Sequence, residues 1–275
     1  MSNYFSIIVP SLNQGKFLND CLKSIVNQKY KKFEVIILDG GSNDQSIKII
    51  KKFAKKYSSI TYWHTKKDKG QFDAINFGIR KAKGNWITWQ NADDFFNSNN
   101  VLNIFNKNIN LNPRKKLFVG NMNLVSRNKK IIKKLNYIKP NFYSLLYEGM
   151  TLSNQCSFWH SSINKKIGFL KNYKVDFDYE WYLRILSKFP NTGYHLNFPA
   201  GSYRLHDEQK TFKKKKNDLK RIEKIKIKYG ISNSTILRSF MKHLFIVKRG
   251  FYYLSKGEFY YVLRGIFNKF FSFYK

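Results

Sequence analysis

Short apolar runs alternate with amphipathic stretches over residues 5–89. Residues 5–9 form an apolar run closed by Pro10, the pattern of a buried strand. Residues 16–28 follow, with Phe17, Leu18, Cys21, Leu22, Ile25 and Val26 at the spacing of one helix face. A second apolar run, 33–38, stops at Asp39-Gly40-Gly41-Ser42, and 44–57 is again helical, with Ile47, Ile50 and Phe53 inward. Residues 60–64 make a third strand, 72–82 a helix and 86–89 a fourth strand. Alternation of this kind predicts an α/β fold: a mostly parallel central sheet with helices on both faces.

In such sheets ligands sit beyond the carboxyl ends of the strands. The polar clusters fall at those ends: Pro10-Ser11-Leu12-Asn13, Asp39-Gly40-Gly41-Ser42 and Asn91-Ala92-Asp93-Asp94. The pattern weakens over residues 97–140, where 117–119 and 131–135 read as strands. Residues 154–159 read as a strand and 178–186 as a helix. From about 212 the character changes. Lys213 to Lys216 open a basic helical stretch with Leu219, Ile222 and Ile225 along one side, and 236–275 interleaves Lys and Arg with Phe and Tyr. The simplest division is a catalytic domain, 1–211, with a nucleotide-binding half (1–97) and an acceptor half (98–211), followed by a helical appendage, 212–275.

Charge adds one inference. The 275 residues carry 51 Lys and Arg against 17 Asp and Glu, a formal charge of +34. That excess attracts anions, although AT-rich codons would supply the same lysines without any partner. Cys21 and Cys156 form no disulfide framework, which suits a reducing, cytoplasmic setting. The N-terminus lacks the basic-then-apolar order of a secretion signal, and no apolar run reaches the ~20 residues of a spanning helix. The basic, aromatic tail has the composition of a helix lying on an anionic bilayer; aromatics packed as core would read the same way.

The chemistry rests on the carboxylates. Asp39 follows a strand and stands where a base or ribose could be bound; the same residues also read as a turn into a helix capped near Ser42 or Asn43. Asp93 and Asp94 are neighbours, and two adjacent carboxylates are costly unless a hard cation neutralises them; a solvated loop is the alternative. His206 is a possible further metal ligand, and Arg204 a phosphate partner. Asp176, Asp178 and Glu180 cluster in an acid-poor chain, either as a proton acceptor or as partners of a helix N-terminus.

Taken in order, these segments resemble the family-2 inverting glycosyltransferases of the GT-A fold, of the kind that build bacterial surface polysaccharides. The matching residues are Ile7-Ile8-Val9-Pro10-Ser11-Leu12-Asn13, Leu22 to Gln28, Glu34 to Ser42, Asp68 to Gly78, Ala82 to Trp86 and Asn91 to Asp94. Looser matches are Gln155 to Trp159, Asp178 to Arg184 and Tyr203 to His206. The resemblance implies transfer of a sugar, UDP-linked, from a nucleotide-sugar to a glycan or polyprenyl-linked acceptor. It implies nucleotide contacts at Pro10, Asn13, Asp39, Asp68, Asp93 and Asp94, and Mg²⁺ or Mn²⁺ on Asp93, Asp94 and His206. Asp178 would be the catalytic base, and the enzyme would work on the inner face of the cell membrane. Asn91 departs from the family's first acidic position and weakens the expected metal or ribose contact there. A nucleotidyltransferase lacks its basic Gly-rich opening in this chain, while a non-catalytic nucleotide-sugar-binding relative remains a second reading. A nucleic-acid-binding protein would use the charge but not the strand-end carboxylates, which repel phosphate.

Overall fold

The computed structural model describes residues 3–209, 216–257 and 259. The first half runs β1 (Phe5–Ser11), α1 (Gly15–Val26), β2 (Phe33–Asp39), α2 (Ser46–Lys56), β3 (Ile60–Thr65), α3 (Gln71–Lys81) and β4 (Trp86–Trp89). Every residue of β1, β2 and β4 is buried, which is why those strands read as continuous apolar runs. β3, at the sheet's end, is half-exposed. α3 packs closely on β1: a Cβ on Gly78 would lie 2.6 Å from Ile8 Cγ2, so only glycine fits there.

The second half is β5 (Phe95–Phe96), α4 (Val101–Leu111), β6 (Leu117–Val125), β7 (Ile131–Leu135), α5 (Phe142–Glu148), β8 (Ser157–His160), α6 (Ser162–Ile167), α7 (Phe177–Lys188) and β9 (Gly193–Arg204). The sheet order is β3-β2-β1-β4-β8-β6-β9-β5, with β7 on β6. The β3-β2-β1-β4 half is parallel. Beyond β4 the sheet is mixed: β8 is antiparallel to β4 and β6, while β6 and β9 are parallel. Residues 154–156, expected as strand, form a 3-10 turn before β8.

Two helices follow, α8 (Lys216–Lys228) and α9 (Thr235–Ser255). The start of the basic stretch, 210–215, and the residues 258 and 260–275 lie outside the described residues. Ile225 is buried in the core, but Leu219, expected beside it, is exposed. α8 is tied to α7: Arg221 Nε stands 2.5 Å from Asp176 Oδ2, and the Tyr229 hydroxyl just beyond α8 donates to buried Glu180 at 2.8 Å. α9 packs on α5, where Arg249 meets Glu148 at 2.6 Å.

α9 also touches β9 through His195. Its Nε2 faces Asn121 Oδ1 at 2.8 Å and its Nδ1 the Tyr252 hydroxyl at 3.2 Å. Burial, and then the charge of Lys256, push the His195 pKa down from 6.5 to about 4. A histidine with a lowered folded pKa takes up its proton more readily when unfolded. Its contribution to stability is therefore complete above pH 6.5 and lost as pH falls toward about 4. His195→Gln is expected to flatten the acid-side decline in stability by up to about 3 kcal/mol. Denaturant unfolding at a series of pH values between neutrality and the lower pKa checks this; parallel pH curves for the two proteins would refute it.

Candidate active site

The carboxyl ends of β1, β2, β3 and β4 meet at one edge. β1 has β2 on one side and β4 on the other, so strand order reverses there. β4 keeps step with β1 only as far as Ile8, and Gln90 N donates to the Ile8 carbonyl at 2.8 Å. Past that point Pro10, buried and without an N–H, continues against β2 alone, in register with Leu38. A crevice opens where α/β sheets bind their ligands.

Asp39 ends β2, fully buried. It accepts hydrogen bonds from Ser42 N (2.9 Å), Ser42 Oγ (2.5 Å), Gly41 N (3.2 Å) and Thr65 Oγ1 (2.8 Å). The carboxylate thus fastens its own turn to β3. Asn13, in the left-handed region at φ 53°, locks the first turn onto the second: its N donates to Ser42 Oγ and its Oδ1 accepts from Asn43 N. Asp44, rather than Ser42 or Asn43, receives the first N–H of α2, from Ser46 at 2.9 Å. Asp68 lies against the Asp39 turn: a Cβ on Gly40 would be 2.9 Å from its Oδ2.

After β4 the two adjacent carboxylates part ways. Asp93 faces the crevice, 18% exposed, with Oδ2 3.1 Å from His206 Nε2; the His206 side chain is 1% exposed. Asp94 is fully buried and accepts from Gln155 Nε2 (2.6 Å), Arg204 N (2.9 Å) and Asn91 Nδ2 (3.2 Å). Burial, and then the neighbouring Asp93 charge, push the Asp94 carboxyl well above its ordinary range. The expected trio of ligands is therefore a facing pair, Asp93 and His206, with Asp94 turned into the protein. Among the described residues no three His, Cys, Asp or Glu side chains gather as a metal cluster.

The donor pair still fits a divalent cation. A carboxylate oxygen and an imidazole nitrogen 3.1 Å apart match neighbouring ligands of one ion, about 3 Å from each other. Imidazole favours Mn²⁺ over Mg²⁺, and a two-residue set leaves positions for phosphate oxygens.

The loop that carries His206 is held by groups that no local motif announces. His206 lies against Phe17 of α1, ring centroids 4.4 Å apart. The Arg204 guanidinium covers Phe17 and Phe95 at 4.9 and 5.3 Å and bonds Asp20 of α1 at 2.9 Å. Burial alone would raise the Asp20 pKa, but hydrogen bonds from Arg204 and Lys129 prevail and hold it below the ordinary value. Arg204 is thus engaged by the protein rather than presented to a phosphate. Gln71 of α3 donates to Asn91 Oδ1 at 2.8 Å, joining the Asp68 loop to the Asp93 loop.

Asp178 sits in the first turn of α7, half-exposed, and accepts from Tyr179 N at 2.7 Å. Its neighbours Asp176 and Glu180 are buried and committed to Arg221 and to Arg184 and Tyr229. Phe177 and Tyr182 flank Asp178 and pack within 6.4 and 6.3 Å of Trp89, the last residue of β4.

The chain is similar to several known glycosyltransferases. The chain is 40% identical over 90 residues to a "PGL/p-HBAD biosynthesis glycosyltransferase" of Mycobacterium bovis, a stretch of 33% of this chain and 35% of that relative. The match thus spans about a third of the relative's length. The fold is similar to S. aureus TarS in complex with UDP-GlcNAc (TM-score 0.64, 15% identity, 88% of this chain and 71% of that one). It is also similar to the mannosyltransferase PcManGT of Pyrobaculum calidifontis in complex with GDP-Man and Mn²⁺ (TM-score 0.54, 13% identity, 96% and 84%). These likenesses establish the GT-A fold. The sequence profile of Glycosyl transferase family 2 matches residues 6–167, more than half of the chain, and spans both strand-end turns and the Asp93 loop. The chain belongs to glycosyl transferase family 2.

Proposed function

We propose that this protein transfers a glycosyl group, with inversion, from a UDP-sugar to a hydroxyl of a glycan or polyprenyl-linked acceptor. The observation that carries the reading is the Asp93–His206 pair, 113 residues apart in sequence and 3.1 Å apart at the mouth of the strand crevice. Asp93 and His206 would hold Mn²⁺ or Mg²⁺, which when bound supplies positive charge to the departing diphosphate. The turns at Pro10–Asn13 and Asp39–Ser42, with Asp68 and Asp94 behind them, shape the wall for the nucleoside. Asp178 takes the proton from the acceptor hydroxyl. The freed oxygen attacks the anomeric carbon, and the bond to the diphosphate breaks in the same displacement. The nucleotide-sugars in complex with TarS and PcManGT support the donor class. A polyprenyl-linked acceptor would be met at the inner, anionic face of the cell membrane. A nucleic-acid partner is disfavoured, because Asp93 stands open in the crevice.

The donor is testable by thermal shift with UDP-, GDP- and dTDP-sugars in the presence of Mn²⁺. A donor at a hundred times its Kd is expected to add about 2.7 kcal/mol of apparent stability. A UDP-sugar should give the largest rise. No shift with any of them would overturn the reading, and a larger rise with a GDP-sugar would overturn the choice of base.

A further inference from the structure

α9 uses two faces differently. One face is docked on the rest of the molecule. Phe245 is buried, Arg249 meets Glu148 at 2.6 Å, and the Tyr253 hydroxyl donates to the Asn136 carbonyl at 2.5 Å. The other face carries Ile236 (82% exposed), Phe240 (60%), Val247 (53%), Phe251 (67%) and Leu254. These recur at intervals of four, seven, four and three residues, which is one continuous stripe of a helix. Large apolar side chains left in water in one row mark a contact surface. Exposed Lys248 borders the stripe, and the helix has no Asp or Glu.

We infer that the outer stripe of α9 is a docking surface for an anionic lipid bilayer, with the helix lying in the plane of the headgroups. The helix is not long and apolar enough to cross a membrane, and among the described residues no other helix is. An amphipathic helix with lysines beside an aromatic and aliphatic face binds at the interface, its apolar side among the acyl chains and its cations at the phosphates. Charge decides between occupants. A second copy of this chain would set another formal +34 against the first, whereas an anionic bilayer is complementary to that charge. The docked face fixes the orientation, because Arg249 and Tyr253 prevent the helix from rolling its stripe inward. This surface gives the membrane-side acceptor of the proposed function a structural basis, and it rests on that reading only for its purpose.

The test uses the full chain, with vesicles of phosphatidylcholine alone and of phosphatidylcholine mixed with phosphatidylglycerol, and no donor or acceptor. The native protein is expected to sediment with the mixed vesicles. Phe240→Ser with Phe251→Ser should weaken that partition about tenfold or more. Lys248→Gln should weaken it too, and should reduce its dependence on salt. Both variants change exposed positions, so their melting temperatures should match the native protein's. Unchanged partition of the Phe variant would overturn the inference. So would loss of a native dimer in that variant by light scattering, which would assign the stripe to a second copy. A lower melting temperature with unchanged vesicle binding would also overturn it, assigning the stripe to the chain's own packing. Vesicle binding is read without turnover, so its failure leaves sugar transfer standing, and the reverse holds.

Discussion

Asp93→Ala is expected to lower kcat for sugar transfer by about three orders of magnitude or more, the scale seen when charge stabilisation of a leaving group is removed. Asp93 is the one carboxylate of its pair that faces the crevice, and its partner His206 Nε2 stands 3.1 Å away. Removing it takes away the only carboxylate oxygen of the donor pair and leaves a single imidazole to hold a cation. Thermal shift by UDP should then lose its dependence on Mn²⁺, a binding readout separate from turnover. The fold should tolerate the change, since the Asp93 side chain is partly solvent-exposed and bonds His206. Asp94→Ala makes an instructive contrast. It should cost stability instead, because Gln155 Nε2 and Arg204 N would lose a buried acceptor. Activity that survives both Asp93→Ala and a chelator would reject the cation site.

The first half of this fold was legible because parallel strands covered on both faces leave an unbroken apolar run. β1, β2 and β4 are such strands, and their ends position Pro10, Asn13, Asp39 and Asp93 where the pattern put them. The second half resisted for physical reasons. β9 contains Pro199 and Gly201 and shifts register against β6 around Asn121, so it shows neither a clean run nor a clean alternation. α4 has a weak helical signature although Val101, Leu102, Phe105 and Ile109 form its buried face, because its outer face is mostly asparagine, with Lys107 its one charge. The residues that hold the site were hidden differently. Asp20 and Arg204 are 184 positions apart, and Gln155 reaches Asp94 across 61. Such partners are set by sheet order, with β9 returning beside β5 and β6, and no local spacing encodes them. Asp39 taught a related lesson. Its position suits a nucleoside contact, yet four donors from its own turn and from β3 already surround the carboxylate. Turn-building and ligand-facing roles are superposed at this strand end, as the sequence pattern alone allowed.

Asp178→Asn should lower kcat by about two to four orders of magnitude, the range of general-base catalysis, while donor binding stays close to native. The amide keeps the shape of the side chain and can still accept from Tyr179 N, the bond that Asp178 makes at 2.7 Å, but it cannot take a proton. The choice within the acidic cluster follows from what each carboxylate already does. Asp176 is buried against Arg221, and Glu180 is buried with Arg184 and Tyr229 around it. Those two fasten α7 to its neighbours, so Asp176→Asn and Glu180→Gln should act on stability by about 1–3 kcal/mol each. Asp178 is half-exposed at the helix N-terminus, and Phe177 and Tyr182 around it pack on Trp89 at the end of β4. Three variants therefore separate along two axes. Asp178→Asn should give a native melting temperature, a native UDP-sugar shift and little turnover. The other two should melt earlier and keep kcat in the folded fraction. Near-native kcat in Asp178→Asn, with kcat lost in a folded Glu180→Gln, would move the base two positions along α7 and reverse the assignment.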